Sequence, residues 1–235
     1  MSEKTITVII PAYNEEKNIA EAIASVKKAV EGMVDDYELI VFDDGSRDRT
    51  GEVTDRIAQE DSHVRVIHND GNQGFGYSYQ QGVKLAKMEY ISIFPGDNDM
   101  AWESLRDLLT KIGQADIITS YMENMHKRSW GRRLLSRSFT LVMNTLFGLR
   151  LRYFNGPNIC KRAHLQAITI RATSLMALAE CLVRLIKSGS SYKEICFAHI
   201  GRKNDQSKAL HPKSIAAVLH DVFVLWKDMT FRRVK

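Results

Sequence analysis

TITVIIPAYNEEKNIAEAIASVKKAV, residues 5–30, changes its hydrophobic period part-way along, and that change decides the fold. Thr5–Ile10 is short, β-branched and largely apolar, the composition of a strand covered on both faces. From Glu15 to Val30 the apolar residues Ile19, Ile23, Val26 and Val30 recur at helical spacing. Outward from here the same alternation repeats. Glu38–Phe42 (ELIVF) predicts a second buried strand, then a loop and a helix carrying Val53 and Ile57. Val64–His68, a helix around Tyr77–Ala86, Tyr90–Phe94, a helix from Trp102 to Ile112 and a strand at 117–120 continue it. The expected class is α/β: a mostly parallel central sheet flanked by helices. The second half reads differently, helical and basic, with one further strand expected at Glu194–Ile200.

Ligands of parallel sheets bind beyond the carboxyl ends of the strands, and three such ends carry unusual chemistry. They are Pro11-Ala12-Tyr13-Asn14-Glu15, Asp43-Asp44-Gly45-Ser46-Arg47-Asp48 and Pro95-Gly96-Asp97-Asn98-Asp99. Two carboxylates one residue apart on a glycine turn suit a hard cation, Mg2+ or Mn2+, which shares its shell with substrate phosphates. Taken alone, Asp97-Asn98-Asp99 reads first as a turn, because Asp and Asn favour turns for local reasons. Asp43 and Asp44 can accept from a base or a ribose hydroxyl, or cap the helix starting near Asp48–Thr50; Asn14 fits an N-cap, and Tyr13 a stacking surface. Three such ends on neighbouring strands make a stronger signal than any one of them.

Composition narrows the class. The chain has 235 residues, 44% hydrophobic and 26% charged, which fits a globular protein and excludes extended disorder. Cys160, Cys181 and Cys196 form no CxxC pair and read as free thiols in a reducing compartment. No signal peptide is visible, and the apolar stretches Phe139–Leu149 and Ile215–Phe231 are too short or too interrupted to span a bilayer. A cytoplasmic location is expected. Between Glu123 and Glu180 there is no acidic residue, while Lys127, Arg128, Arg132, Arg133, Arg137, Arg150, Arg152, Lys161, Arg162 and Arg171 fall inside. Such a block suits an anionic partner or a solvated basic face.

At this point a family resemblance is carried by VIIPAYNEEKNI (8–19), LIVFDDGSRDRT (39–50) and NQGFGYSYQQGVKLA (72–86), with Asp97-Asn98-Asp99 at a DxD position. It resumes at Asn155-Gly156, Glu180, Gly189, Glu194-Ile195 and Arg202 with Ser207-Lys208. The chain resembles glycosyltransferase family 2, of GT-A fold, and within it the dolichyl- or polyprenyl-phosphate mannose synthase-like branch. The resemblance implies one domain over 1–235, with a nucleotide-sugar half at 1–121 and an acceptor half at 122–235. By it Pro11, Tyr13, Glu15 and Asp44 line a nucleoside pocket. Asp97 and Asp99, with the Asn98 backbone nearby, manage metal and diphosphate, and Arg202 and Lys208 contact phosphates. Two departures stand out. Met122 occupies the position of a family Arg, with Lys127 or Arg128 as substitutes, and Asn155-Gly156-Pro157-Asn158 replaces a Ser-Gly-Phe-Arg region. The QxxRW signature of processive synthases is absent, which implies transfer of a single sugar.

The reaction so implied is an inverting displacement from a GDP- or UDP-sugar. A polyprenyl phosphate acceptor is already anionic, whereas a saccharide hydroxyl, as in cell-surface polysaccharide synthesis, needs a general base. Glu180 and Asp205 are the candidates, and Glu180 fits a buried structural carboxylate at least as well. The basic interval 127–162 interleaves with Leu135, Phe139, Leu141, Val142, Leu146, Phe147 and Leu149, the pattern of a helix lying on a membrane surface. Ile215–Phe231 is a second amphipathic candidate. Core-facing helices or a homodimer interface are the other readings of both. A non-catalytic nucleotide-sugar-binding homologue remains open, while the Asp-rich cleft and the lack of any nucleic-acid motif argue against nucleic acid.

Overall fold

The protein, as a computed structural model, is described over residues 3–122, 130–197 and 212–231. In chain order its elements are β1 (Thr5–Ala12), α1 (Ile19–Val30), β2 (Asp36–Asp43), α2 (Thr50–Glu60), β3 (Val64–His68), α3 (Phe75–Leu85), β4 (Tyr90–Ile93) and α4 (Trp102–Leu109). There follow β5 (Ile117–Met122), α5 (Trp130–Phe147), β6 (Ile159–Lys161), α6 (Arg162–Ala167), α7 (Met176–Lys187), β7 (Tyr192–Phe197) and α8 (Pro212–Phe231). The seven strands form one sheet in the order β3-β2-β1-β4-β6-β5-β7. The β1–β2, β1–β4, β2–β3 and β5–β7 pairs are parallel. The α/β expectation therefore holds, with one element added.

That element is β6, antiparallel to both of its neighbours, β4 and β5. Three residues are too few to show a period, so alternation could not reveal it. Because it runs antiparallel, away from the carboxyl end of β4, the residues just before it, 155–158, lie toward the carboxyl ends of β4 and β5. Chain order reverses at β1, with β2 on one side and β4 on the other, and a crevice opens at such a switch point.

Both faces of the sheet are buried. Ile6, Val8 and Ile10 of β1 join Ile23 and Val26 of α1 and Leu105 and Leu108 of α4 in one apolar cluster. Ile9 points the other way, into a cluster with Tyr79 and Val83 of α3 and Leu178 and Leu182 of α7. This strict alternation along β1 is the period-two consequence of the pleat. α1 begins at Ile19, the first residue of its apolar pattern and four residues after the expected start at Glu15, because residues 13–18 are bends and turns. Cys160 and Cys181 are buried free thiols, and burial pushes Cys160 up to about 12, so neither is poised to react. No helix among the described residues is long and apolar enough to cross a membrane.

Gly82 shows how closely α3 is seated. A Cβ there would lie 2.6 Å from Ile9 Cδ1 and 2.7 Å from Ile9 Cγ1. Gly to Ala inside a helix ordinarily gains about 1 kcal/mol. Here overpacking against a fully buried strand residue reverses the sign, so urea unfolding of Gly82→Ala is expected to show a loss of about 1–3 kcal/mol. A gain would mean that α3 can lift off β1.

Candidate functional site

Three turns meet at the carboxyl edge, and the end of β1 joins them. The Asp44 amide donates to the Ala12 carbonyl at 2.9 Å, and the Gly96 amide donates to the Pro11 carbonyl at 3.2 Å. A Cβ on Gly96 would stand 2.7 Å from the Pro11 oxygen, so the Asp97-Asn98-Asp99 turn can approach β1 this closely only through glycine. Consecutive carbonyls of one strand thus hold the polar turns from both neighbouring strands.

The first two turns are also laced side chain to backbone. Asn14 adopts a left-handed φ of +57°. Its amide donates to Ser46 Oγ at 3.0 Å, and its Oδ1 accepts from the Arg47 amide at 2.8 Å. The Glu15 amide donates to Thr50 Oγ1 at 2.7 Å, and the Glu16 amide to Asp48 Oδ2 at 3.1 Å. Asn14 is therefore not a helix cap. The residue preceding α1 is Asn18, and Asn14 spends its side chain on the neighbouring turn. Asp48 does serve the start of α2, accepting from the Thr50 amide at 3.0 Å. Burial opposes ionisation of Asp48, but the Thr50 hydroxyl and the surrounding amides outweigh it and hold the carboxyl below its ordinary range.

Asp44 and Asp43 separate in role. Asp44 is buried, and its Oδ1 accepts from the Gln73 amide and from Asn69 Nδ2, both at 2.8 Å, while Oδ2 accepts from the Gly74 amide at 2.8 Å. It organises the 69–74 loop rather than capping α2. Asp43 Oδ1 accepts from the Ser46 amide at 3.1 Å, and Oδ2 lies 3.0 Å from His68 Nδ1. His68 Nε2 lies 3.0 Å from Asp55 Oδ1. An imidazole between two carboxylates is favoured as the cation. The hydrogen bond to the Asp43 carboxylate outweighs the opposing effect of burial, and Asp55 adds to it, so His68 is held above the usual histidine range. Sequence reasoning missed His68, since a histidine closing a strand carries no signal until its neighbours are known.

At the third turn Asn98 has φ +54°, and the Asp99 amide donates to Asp97 Oδ1 at 3.1 Å. Asn98 Oδ1 is buried and, among the described residues, meets no hydrogen-bond donor. A desolvated amide oxygen between two half-buried carboxylates is a site suited to a hard cation or a substrate donor group. No cluster of three or more His, Cys, Asp or Glu side chains suited to a metal occurs among the described residues. The residues fit Mg2+ or Mn2+ of the kind that completes its shell with water and diphosphate oxygens, not an all-protein cage.

Residues 155–158 run between β4 and β5. Ser92 Oγ donates to the Asn158 carbonyl at 2.9 Å, and Ser120 Oγ donates to the Pro157 carbonyl at 2.7 Å. A Cβ on Gly156 would lie 2.6 Å from the Ser120 carbonyl oxygen, which locks the loop onto β5. Met122 is buried in the apolar cluster with Phe197, so the position of the family Arg holds no charge here. Glu180, considered as a base, is buried on α7, its Oε1 accepting from Arg184 Nε at 2.8 Å and its Oε2 from two backbone amides. The strand order thus brings Pro11, Tyr13, Glu15, Asp44, Asp97, Asn98 and Asp99 to one edge. Arg202 and Lys208, like Lys127, Arg128 and Asp205, lie outside the described residues.

Fold and edge together define the class: an α/β domain of GT-A type with its polar turns gathered at the β1/β4 switch point. A model described as "Glycosyl transferase family 2" matches residues 7–169, and the chain belongs to that family. Glycosyltransferase GlyG of Streptococcus pneumoniae serotype 4 is 32% identical over 116 residues, 49% of this chain and 37% of that protein. Undecaprenyl-phosphate 4-deoxy-4-formamido-L-arabinose transferase of Pseudomonas paraeruginosa is 26% identical over 86% of this chain and 60% of its own length. Relatives of that second kind accord with the polyprenyl-phosphate branch of the resemblance. The chain spans between 19% and 62% of the length of the curated relatives it matches. In fold it is similar to glucosyl-3-phosphoglycerate synthase from Mycobacterium tuberculosis in complex with Mn2+, uridine-diphosphate and glucosyl-3-phosphoglycerate. That likeness has a TM-score of 0.68 at 22% identity, covering 93% of this chain and 80% of the other.

The His68 contacts carry a pH dependence with a definite sign. A raised folded-state pKa means the stabilisation is fully present below the unfolded value, about 6.5, and is lost as pH rises through the higher folded value. His68 is half-exposed, so screening limits the effect to the order of 0.2–1 kcal/mol. Thermal melts of His68→Gln are expected to fall below wild type at pH 5.5–6 and to converge with it by pH 9. A constant difference at both ends would remove the charged imidazole from the account.

Proposed function

We propose that this chain transfers one sugar, with inversion, from a nucleoside-diphosphate sugar held at the carboxyl edge to a polyprenyl phosphate at a membrane surface. The observation that carries this reading is the joining of the Asp44 and Asp97-Asn98-Asp99 turns to consecutive carbonyls of β1. It supports a reading in which the nucleoside lies on one side of the crevice and the diphosphate on the other. Pro11, Tyr13, Glu15 and Asp44 take the nucleoside side. Asp97 and Asp99 would hold a Mg2+ or Mn2+ ion that neutralises the departing diphosphate. Arg202 and Lys208 clamp donor or acceptor phosphates, on the strength of the family spacing.

The acceptor oxygen attacks the anomeric carbon from the face opposite the leaving group. A bond to that oxygen forms as the bond to the diphosphate breaks, and the electron pair leaves on the diphosphate. An anionic phosphate acceptor has no proton to give up, so the reading needs no general base, in keeping with Glu180 being tied to Arg184. Residues 1–235 act as one domain, with a donor half at 1–121 and an acceptor half at 122–235.

The outer face of α5 supports the lipid acceptor. Trp130 is 70% and Leu141 is 68% exposed, and Leu134, Val142 and Leu146 are exposed with them. No acidic residue lies on α5, while Arg132, Arg133 and Arg137 do. Exposed apolar groups with arginines and no carboxylate match an anionic bilayer surface.

Calorimetry with Mn2+ and a panel of UDP-, GDP- and dTDP-sugars tests the donor side. One donor is expected to bind, with affinity lost by at least tenfold in Asp99→Ala or on adding EDTA, a charge-assisted contact contributing about 1.5–3 kcal/mol. No donor binding, or binding indifferent to both changes, would defeat the metal-diphosphate reading. Nucleotide release on adding a polyprenyl phosphate supports the acceptor; release only with a saccharide refutes it. Independently, Leu141→Glu is expected to reduce cosedimentation with phosphatidylglycerol vesicles without lowering the melting temperature, and equal sedimentation would take α5 off the membrane.

A further inference from the structure

The geometry points to Glu180 as a positioning residue: through the strap at residues 171–174 it keeps the Gln73 and Gly74 amides on Asp44, and α8 locks that strap from outside. The role rests on the reading of Asp44 as a donor-side residue. It assigns Glu180 to donor affinity and not to proton transfer.

The connection is continuous. Glu180 is 2% exposed, and its Oε2 accepts from the Arg171 amide at 2.9 Å and the Ala172 amide at 2.8 Å. On the other side of the strap the Ala172 carbonyl accepts from Gln80 Nε2 at 2.9 Å, and the Thr173 carbonyl accepts from the Gly76 amide at 2.9 Å. The fit to α3 is tight enough that a Cβ on Gly76 would lie 2.4 Å from the Ala172 oxygen, and one on Gly74 would lie 3.2 Å from the Thr173 oxygen. Gly74 is the residue whose amide donates to Asp44 Oδ2. The strap is thus the floor on which the first turn of α3, and with it the Asp44 contacts, is set.

α8 closes the arrangement with two carboxylates spaced seven residues apart. Asp228 Oδ2 accepts from Arg184 Nη2 at 3.0 Å and lies 3.3 Å from Arg171 Nε, joining Glu180's own partner to the start of the strap. Asp221 Oδ2 accepts from Ser174 Oγ at 2.8 Å at the end of the strap, and that hydroxyl accepts from the Met176 amide at the head of α7. A buried carboxylate is costly unless it is paired and hydrogen-bonded, and Glu180 meets both conditions with groups that all belong to this clamp. A general base would instead present a lone pair toward the crevice.

The test compares Glu180→Gln, Asp228→Asn and Asp221→Asn with wild type and with Asp44→Asn. Amide exchange at Gln73 and Gly74 is followed by NMR, and binding of UDP and of GDP, each with Mn2+, by calorimetry. In the three clamp variants both amides are expected to exchange about tenfold faster, and the diphosphate that binds wild type to bind about tenfold more weakly, the equivalent of roughly one hydrogen bond. Unchanged exchange at Gln73 and Gly74 in folded variants overturns the proposal. So does faster exchange with unchanged affinity while Asp44→Asn weakens binding. Lost turnover with exchange and affinity both intact would make Glu180 a proton acceptor and overturn it as well. Should Glu180→Gln fail to fold, Asp221→Asn decides, since among the described residues its hydrogen bond to the strap is the one from Ser174. Unaltered affinity in Asp44→Asn would refute the donor-side reading instead, and the exchange data would still judge the clamp.

Discussion

The carbonyl groups of Pro11 and Ala12 are the constraint on which the site depends. Each lies at the end of β1, where pairing with β4 has stopped at Ile9 and pairing with β2 ends at Ala12, and each would need a donor or water if the neighbouring strands simply turned away. They receive the Gly96 and Asp44 amides, from the turns after β4 and β2 respectively. Because the neighbours of β1 are strands two and four of the chain, the two acidic turns arrive from opposite sides and face one crevice. Glycine at 96 is required for that approach, and left-handed Asn14 and Asn98 let the chain bend sharply without losing polar contacts.

From this point outward the polar groups are organised in layers. The first turn is held by side chains of the second, Ser46, Asp48 and Thr50. The second turn is held by the 69–74 loop through Asp44 and by His68 through Asp43. Behind that loop lies the 171–174 strap, and behind the strap the Glu180–Arg184–Asp228 ion pairs. On α7 and α8 the carboxylates of Glu180 and Asp228 are neutralised by Arg184, an arrangement that holds the two helices together.

Much of this was legible in the sequence. Strand–helix alternation identified the parallel half because buried strands there are five to eight residues of apolar or β-branched chain, as in β1, β2 and β3. The three polar strand ends were visible because they interrupt that apolar pattern. β6 was not, being three residues long, and its antiparallel insertion is what carries residues 155–158 to the edge. Asn14 was misread as a cap because its alternative, bonding across to the Arg47 amide, depends on tertiary approach. His68 and the 171–174 strap were invisible for the same reason: their partners lie 25 residues away for Asp43, and across a helix packing for α3. The metal-diphosphate reading of Asp97-Asn98-Asp99 came from the family resemblance, since local propensity alone would assign the triplet to a turn.

If the turns bonded to β1 form one metal-diphosphate crevice, Mn2+ bound there broadens nearby backbone amide resonances in the presence of UDP or GDP. Selective loss of signal is expected from residues 96–100, with weaker broadening at residues 12–15 and 44–46 and sharp lines along α7. Broadening centred elsewhere, or no residue-specific broadening with either nucleotide, would contradict it.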